Sequence, residues 1–229
     1  MDLYEVMRTT PSTREFTDDP VPDEVLYRIL SHARFAPSGG NRQAWRVIVV
    51  KDPETRRALR DLYRIGWREY VAHTVQGLVP FAPADDGRWT GPAVDLDQAR
   101  QIERPYDFAD HLDQSPVVLV LLADLTLLAV MDNGLDRQSI VGGASVYPFA
   151  QNVLLAARNE GLGGVLTTVL VREEAAAMEL LGVPRPFAIA GLLALGRPRR
   201  PITRLRRAPV EQFTMVDRFT GEPFGVDKT

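Results

Sequence analysis

Ala36-Pro37-Ser38-Gly39-Gly40-Asn41-Arg42-Gln43-Ala44-Trp45 divides a helical pattern from an extended one. Upstream of it, Val25, Leu26, Ile29, Leu30 and Ala33 recur at the spacing of one helix face, with Asp23 and Glu24 in the first turn where the helix dipole favours negative charge. This predicts a helix from Pro22 to about Phe35, stopped by Pro37, which disfavours helical geometry at Ala36, and by Gly39-Gly40. Downstream, Val47 to Val50 is a short β-branched run, the pattern of a buried strand. Within the connecting loop two glycines permit close backbone approach, and Ser38, Asn41 and Gln43 put three short polar side chains into one turn. Such a loop can hydrogen-bond the polar edge of a heteroaromatic ring. It equally suits a plain helix-to-strand turn closed by an Asn and Gly pair, and composition does not separate the two readings.

Working outward, Asp52-Pro53-Glu54 reads as an N-cap, a proline at the first helical position and a first-turn acid, so a second helix is expected to run to about Tyr70. From Val79 to Ser115 the periodicity fails: four prolines and two glycines surround isolated aromatics. A structureless stretch of that length in a compact domain is usually a functional lid, and only 95–103 is expected to be helical within it. Val117 to Ala123 is apolar throughout and reads as a strand covered on both faces. The longest helix is expected from Arg137 to Glu160, with Gly142, Gly143, Ala144 and Ala150 forming a small-residue strip for a second copy, and Gly161 as its C-cap. A strand over 165–170, a helix over 173–181, a strand over 187–195 and a basic tail from 197 complete the chain.

Length and composition bound the function. The 229 residues carry no linker and no repeat, so one domain spanning 1–229 is expected. A formal net charge of −3 with dispersed basic residues argues against nucleic-acid binding. The absence of cysteine removes disulfides, thiolate metal sites and a cysteine nucleophile, and the three histidines, His32, His73 and His111, lie far apart, so no metal is expected. The longest apolar run, Val117 to Val130, is broken by Asp124 and is short for a membrane span. With no signal-peptide pattern at the amino end, a cytoplasmic location is the default expectation.

Three features bear on chemistry. Ser12 and Arg14 lie two residues apart, and a hydroxyl with a guanidinium can hold a phosphate, although a lone arginine is more often a surface residue. Arg204, Arg206 and Arg207 supply further charge in a tail that also reads as simply solvated. Gly161-Leu162-Gly163-Gly164 follows a helix and precedes a strand, the reverse of a dinucleotide fingerprint, so its extra glycines suggest backbone passing close to something flat.

Arg14-Glu15-Phe16, Pro20 to Asp23, the Pro37 to Trp45 loop, Asn152 to Gly164 and Arg207-Ala208-Pro209 occur in an order that resembles the flavin-dependent nitroreductase family. The resemblance covers most of the chain except Val79 to Ser115. It implies an α+β fold, a three-layer sandwich with a central mixed sheet flanked by helices, in an intertwined homodimer whose tail over 197–229 wraps the partner. It further implies flavin mononucleotide (FMN) at the dimer interface and NAD(P)H as electron donor, with nitroaromatics, quinones or similar small molecules reduced by ping-pong hydride transfer. Flavin storage without turnover, dehalogenation and biosynthetic oxidation are the alternatives. By matching position, Ser12, Arg14 and Arg207 would bind the phosphate and ribityl chain. Pro37, Ser38, Gly39, Asn41 and Gln43 would face the ring from the partner, and Gly163 and Gly164 would offer backbone groups near its reactive edge. No catalytic side chain is implied, because the flavin carries the chemistry. Thr10 and Leu205 stand where many members have basic residues, and Ala44 where proline is frequent.

Overall fold

The computed structural model describes residues 1–200 and 204–226. Seven α-helices are present in the described residues: α1 (Leu3–Arg8), α2 (Asp23–Ala33), α3 (Pro53–Val75), α4 (Leu96–Arg100), α5 (Asp107–Asp110), α6 (Tyr147–Asn159) and α7 (Glu174–Leu180). Strands β1 (Trp45–Val49), β2 (Val117–Asp124), β3 (Gly163–Thr167) and β4 (Phe187–Gly196) form one sheet in the order β1-β2-β4-β3. The α+β class stands, but the sheet is not mixed among these strands: every neighbouring pair is antiparallel. The chain crosses from β2 through α6 to β3, and β4 then inserts between them, so β2 and β3, which share a direction, never touch, and neither do β1 and β4. Parallel pairing is confined to an isolated bridge between Ser12 and Gly164.

The layers follow from strand periodicity. Along β2 and β4, Leu119, Leu121, Leu193 and Leu195 face one way, into a core shared with Leu26, Ile29 and Ala33 of α2 and Phe149, Ala150 and Val153 of α6. Val118, Val120, Leu122, Leu192 and Ala194 face the other way, against Leu59 and Tyr63 of α3 and Ala177 of α7. The central strands are therefore apolar at nearly every position because both faces are covered.

Local chemistry sets the helix ends. Asp52 accepts a hydrogen bond from the Thr55 amide (2.7 Å) and Pro53 opens α3, which runs to Val75, a turn past the expected Tyr70. The longest helix is this one, at 23 residues, and the expected helix over 137–160 shrinks to the 13 residues of α6. Pro148 starts it, since proline has no amide to give an upstream carbonyl, and Val141–Ser145 forms a separate 3-10 turn. The expected small-residue strip is thereby dispersed: Gly142, Gly143 and Ala144 leave the helix, and Ala150 is buried in the core beneath α2. At the far end Gly161 takes φ +81°, its amide bonds to Arg158 O (3.0 Å), and Leu162 N reaches Ala157 O (2.9 Å), a Schellman closure. Helix α1, capped by Asp2, is too short for periodicity to reveal.

In the 79–115 excursion only α4 and α5, with a 3-10 turn at Leu112–Gln114, are regular. The tail turns back on its own chain: Thr17 N bonds to Arg197 O (2.9 Å), Arg199 N to Glu15 O (3.0 Å) and Leu205 N to Arg8 O (2.9 Å). Of the expected partner-wrapping tail, 201–203 and 227–229 lie outside the described residues. Phe213, Phe219 and Phe224 are exposed on a small turn closed by a Met215–Pro223 bridge and belong to none of the hydrophobic clusters. Among the described residues no helix is long and apolar enough to cross a membrane.

Gly66 marks the tightest helix contact on the α3 face: a Cβ there would lie 2.7 Å from Val169 O and 2.9 Å from Val169 Cγ1. Gly66→Ala gains about 1 kcal/mol of helix propensity but overpacks a site where extra atoms cost roughly 1–3 kcal/mol. A net loss near 1 kcal/mol is expected, read as a lower urea midpoint; a raised midpoint would show that α3 can move away from Val169.

Candidate functional site

Residues 12–14 lie along the open edge of β3. Ser12 bridges Gly164, and Thr13 N donates to Gly164 O at 2.8 Å. This approach needs glycine, because a Cβ on Gly163 would sit 2.6 Å from Thr13 Oγ1 and 3.0 Å from Pro198 Cγ. Gly164 is closed in by Leu195 and by Ala194 O, which a Cβ would meet at 2.9 Å. The flat neighbour inferred from these glycines is, within the chain, its own backbone and side chains. Arg14 is exposed and its guanidinium makes no hydrogen bond or ion pair among the described residues. It lines a cavity of about 500 Å³ with Phe16, Asp107, His111 and Arg199.

Two residues that sequence reading missed stand beside it. Tyr63, buried on α3, places its hydroxyl 3.1 Å from Thr167 Oγ1 at the end of β3. Burial pushes the Tyr63 phenol above its usual range, against the Thr167 hydrogen bond and the positive charge of Arg14, so it stays protonated at neutral pH. Nothing in the spacing of Tyr63 and Thr167 signals their contact, since it depends on how α3 packs on the sheet.

The Pro37–Gln43 loop is a second, separate cluster. Gly40 (φ +60°), Asn41 (+53°) and Gln43 (+51°) are left-handed, a conformation costly for residues with a Cβ and least so for asparagine. The loop is held by its own bonds: Ser38 Oγ accepts from Gln43 N (2.9 Å), Gly39 N donates to Ser145 Oγ (3.1 Å), and Gln43 Nε2 donates to Asn41 Oδ1 (3.2 Å). Pro37, Gly39 and Asn41 remain exposed. Trp45 anchors the loop's end by stacking on Phe149, with ring centroids 5.1 Å apart. Ser145 is itself positioned by a segment that Asp132 organises. This carboxylate, 2% exposed, accepts from Ile140 N (2.8 Å), Val141 N (3.2 Å), Ser139 Oγ (2.8 Å) and Arg137 (2.9 Å). Led by the Ile140 amide, these bonds hold its pKa well below the usual carboxylate range.

One chain does not bring the two clusters together. The loop leads into Trp45, which stands opposite Ala123 and, across β2, Ala188 at the start of β4. Gly163 and Gly164 pair with Gly196 and Leu195 at its end. Seven residues of strand correspond to about 23 Å, and β1 and β3 are opposite edges of the sheet. Arg207 joins neither cluster: it lies two residues past the Leu205–Arg8 contact and donates to Arg206 O at 2.8 Å. Thr10 is neutral and spends its hydroxyl on Val6 O (2.6 Å), so it supplies neither charge nor a free donor beside Ser12. Among the described residues no three His, Asp or Glu side chains are grouped to hold a metal ion.

Comparison with known proteins adds a framework. The sequence profile described as the Nitroreductase family matches residues 7–197. The chain is 28% identical to an NADH dehydrogenase of Thermus thermophilus over 89% of this chain and 90% of that one. It is also 28% identical to iodotyrosine deiodinase 1 of Rattus norvegicus, over 94% of this chain and 69% of the other. Among solved structures it resembles an NADPH:FMN oxidoreductase from Vibrio harveyi complexed with NAD+, with a TM-score of 0.64 at 21% identity, covering 94% of this chain and 77% of that one.

Asp132 gives the site a pH signature. A carboxylate whose folded pKa is depressed contributes stability that is complete above roughly pH 4 and drains away as pH falls toward the folded value. Asp132→Asn is expected to lower the urea midpoint at pH 7 and to flatten the loss of stability that the parent protein shows between about pH 4 and pH 2. Equal acid sensitivity in both proteins would show that the 132–141 segment does not depend on this charge.

Proposed function

Since the chain belongs to the nitroreductase family, whose profile spans residues 7–197, we propose that it is an FMN-dependent NAD(P)H oxidoreductase working as a homodimer, with each flavin site built from both copies. The observation that carries this reading is the separation of the two clusters. The Ser12–Arg14 cluster offers an unpaired guanidinium and a hydroxyl, the chemistry that holds a phosphate by parallel charge-assisted bonds. The Pro37–Gln43 loop offers a strained polar turn, the kind of backbone found where a ligand is gripped. Since about 23 Å of sheet lies between them, they can serve one ligand only across two chains.

When bound, FMN supplies the hydride chemistry between nicotinamide and acceptor. The chain's own residues bind and orient. Arg14 and Ser12 would take the phosphate and ribityl oxygens, and Arg207, which joins neither cluster here, would add a second cation only if it left its bond to Arg206 O. Gly163 and Gly164 keep the β3 edge free of side chains, and Tyr63 and Thr167 present hydroxyls at its end. Pro37, Ser38, Gly39, Asn41 and Gln43 of the partner copy close on the ring. Donor and acceptor then use one binding face in turn, which gives ping-pong kinetics, and the 79–115 lid determines which acceptors enter. Nitroaromatics and quinones are the expected acceptors in a cytoplasmic setting. The likeness to iodotyrosine deiodinase favours a second reading, reductive dehalogenation of an aromatic substrate.

Complementation tests the shared site directly. Arg14→Ala and an Asn41→Ala/Gln43→Ala double variant, each deficient in flavin, are co-expressed with different tags and the mixed dimer is isolated. If sites are shared, one site of the mixed dimer is intact, and its visible flavin absorbance and NAD(P)H-dependent reduction of a nitroarene return to about half of the parent's. Recovery of neither would mean that each site lies within one chain, and the proposal would fail. Arg14→Ala should also weaken FMN by roughly ten- to a hundredfold while leaving riboflavin, which lacks the phosphate, nearly unchanged. Equal weakening of both would move Arg14 away from the phosphate.

A further inference from the structure

The flank of α3 turned toward the 79–115 excursion carries Arg64, Trp67 and Arg68, three neighbours at helical spacing. Together with Arg104 from the excursion they line a cavity of about 380 Å³. Trp67 contributes an aromatic ring to the wall and is held from behind by stacking on Tyr106, with centroids 4.3 Å apart and planes 20° from parallel. Charge in the cavity is unbalanced. Arg64 is paired with Asp110 at 3.0 Å, whereas Arg68 and Arg104 make no hydrogen bond or ion pair among the described residues, and Glu103 is the other acid on the wall. Trp67 Nε1 is a buried donor without an acceptor. Two guanidiniums without partners among the described residues, beside the Trp67 ring, form a donor set that an oxyanion satisfies.

We propose that this cavity binds the anionic end, carboxylate or phosphate, of a small molecule that extends from it toward the flavin held beside Arg14. Helix α5 makes the two regions neighbours, because Asp110 lines this cavity while Asp107 and Phe108 line the one that contains Arg14. What the other end does rests on the flavin reading given above; the anion site itself does not. A carboxylate would belong to an aromatic acceptor, and a phosphate to the nicotinamide donor.

The test is calorimetric titration of the purified flavin-loaded protein with 4-nitrobenzoate, adenosine 2′-monophosphate and, as neutral control, nitrobenzene. In Arg68→Gln/Arg104→Gln the affinity for at least one of the two anions should fall by about tenfold or more, with nitrobenzene unaffected. A loss confined to 4-nitrobenzoate assigns the cavity to acceptors, and a loss confined to the adenosine phosphate assigns it to the donor. Arg104→Lys, which keeps the charge but loses the fork, should recover part of the affinity. Equal binding of both anions by parent and double variant, or no binding of either to the parent, would overturn the proposal. Flavin absorbance of the same samples is read separately: protein without flavin that still binds an anion through Arg68 and Arg104 keeps the cavity and removes the flavin reading.

Discussion

The closeness with which the chain's first residues lie on the sheet is the constraint from which the rest follows. At Gly163, Gly164 and Gly196 there is no room for a Cβ: Thr13 and Pro198 cover the first, Leu195 the second, and Phe16 with Pro116 the third, where a Cβ would meet their Cγ atoms at 2.9 Å. The side chains absent at Gly163 and Gly196 allow residues 12–17 to settle onto the ends of β3 and β4. That contact brings Arg14 to the open strand edge, near Tyr63, and gives the tail a track to follow as Arg197 and Arg199 pair with Thr17 and Glu15. The glycines therefore serve the site by positioning its arginine, beyond any contact of their own with a ligand.

A different solution operates at the opposite corner. The Pro37–Gln43 loop cannot lean on the sheet, so its left-handed residues are held by bonds inside the loop, by the Ser145 hydroxyl and by the Trp45–Phe149 stack. Ser145 in turn depends on a segment gathered by one buried carboxylate, Asp132. Each left-handed residue with a Cβ costs of order 1 kcal/mol, less for asparagine, and persists because these anchors outnumber the ways the loop could relax. Since the layers are built from β2 and β4 running the full depth of the sheet, the strained loop and the arginine edge are fixed at opposite ends of the same strands. Under the proposed function, bringing them to one ligand would fall to the assembly of two copies.

Much of this was legible in the amino-acid order because the deciding interactions are local. Asp52, Pro53 and Gly161 act within a few residues of themselves, and the unbroken apolar run of β2 states that both its faces are covered. The start of α6 was misplaced because Gly142 to Tyr147 satisfies helical spacing, while the turn that precedes Pro148 is set by that proline's missing donor. The antiparallel sheet was illegible for another reason: nothing local tells β4 to enter between β2 and β3. Asp132, Ser145, Tyr63 and Thr167 were unreadable on the same ground, since their partners lie far away in sequence or in a loop of irregular shape. The resemblance pointed to Ser12, Arg14 and the Pro37 loop as site candidates, but the physical reason they do not meet within one chain appears only in the strand register.

The region proposed to set substrate choice borrows its order from the rest of the chain. The 79–115 excursion has little regular structure of its own, and what fixes it is the outward face of α3: Arg60 holds Asp113, Arg64 holds Asp110, and Trp67 stacks on Tyr106. Further along the helix, Glu69 binds Arg172, whose guanidinium also lies over Phe81 and Trp89, so the near end of the excursion is packed against the same helix. The face of α3 that packs on the sheet is constrained by the core, whereas this outer face is constrained only by what covers it. Changes in the excursion and in the outer face of α3 are therefore coupled, and under the proposed function they would shift acceptor range without disturbing the edge that carries Arg14.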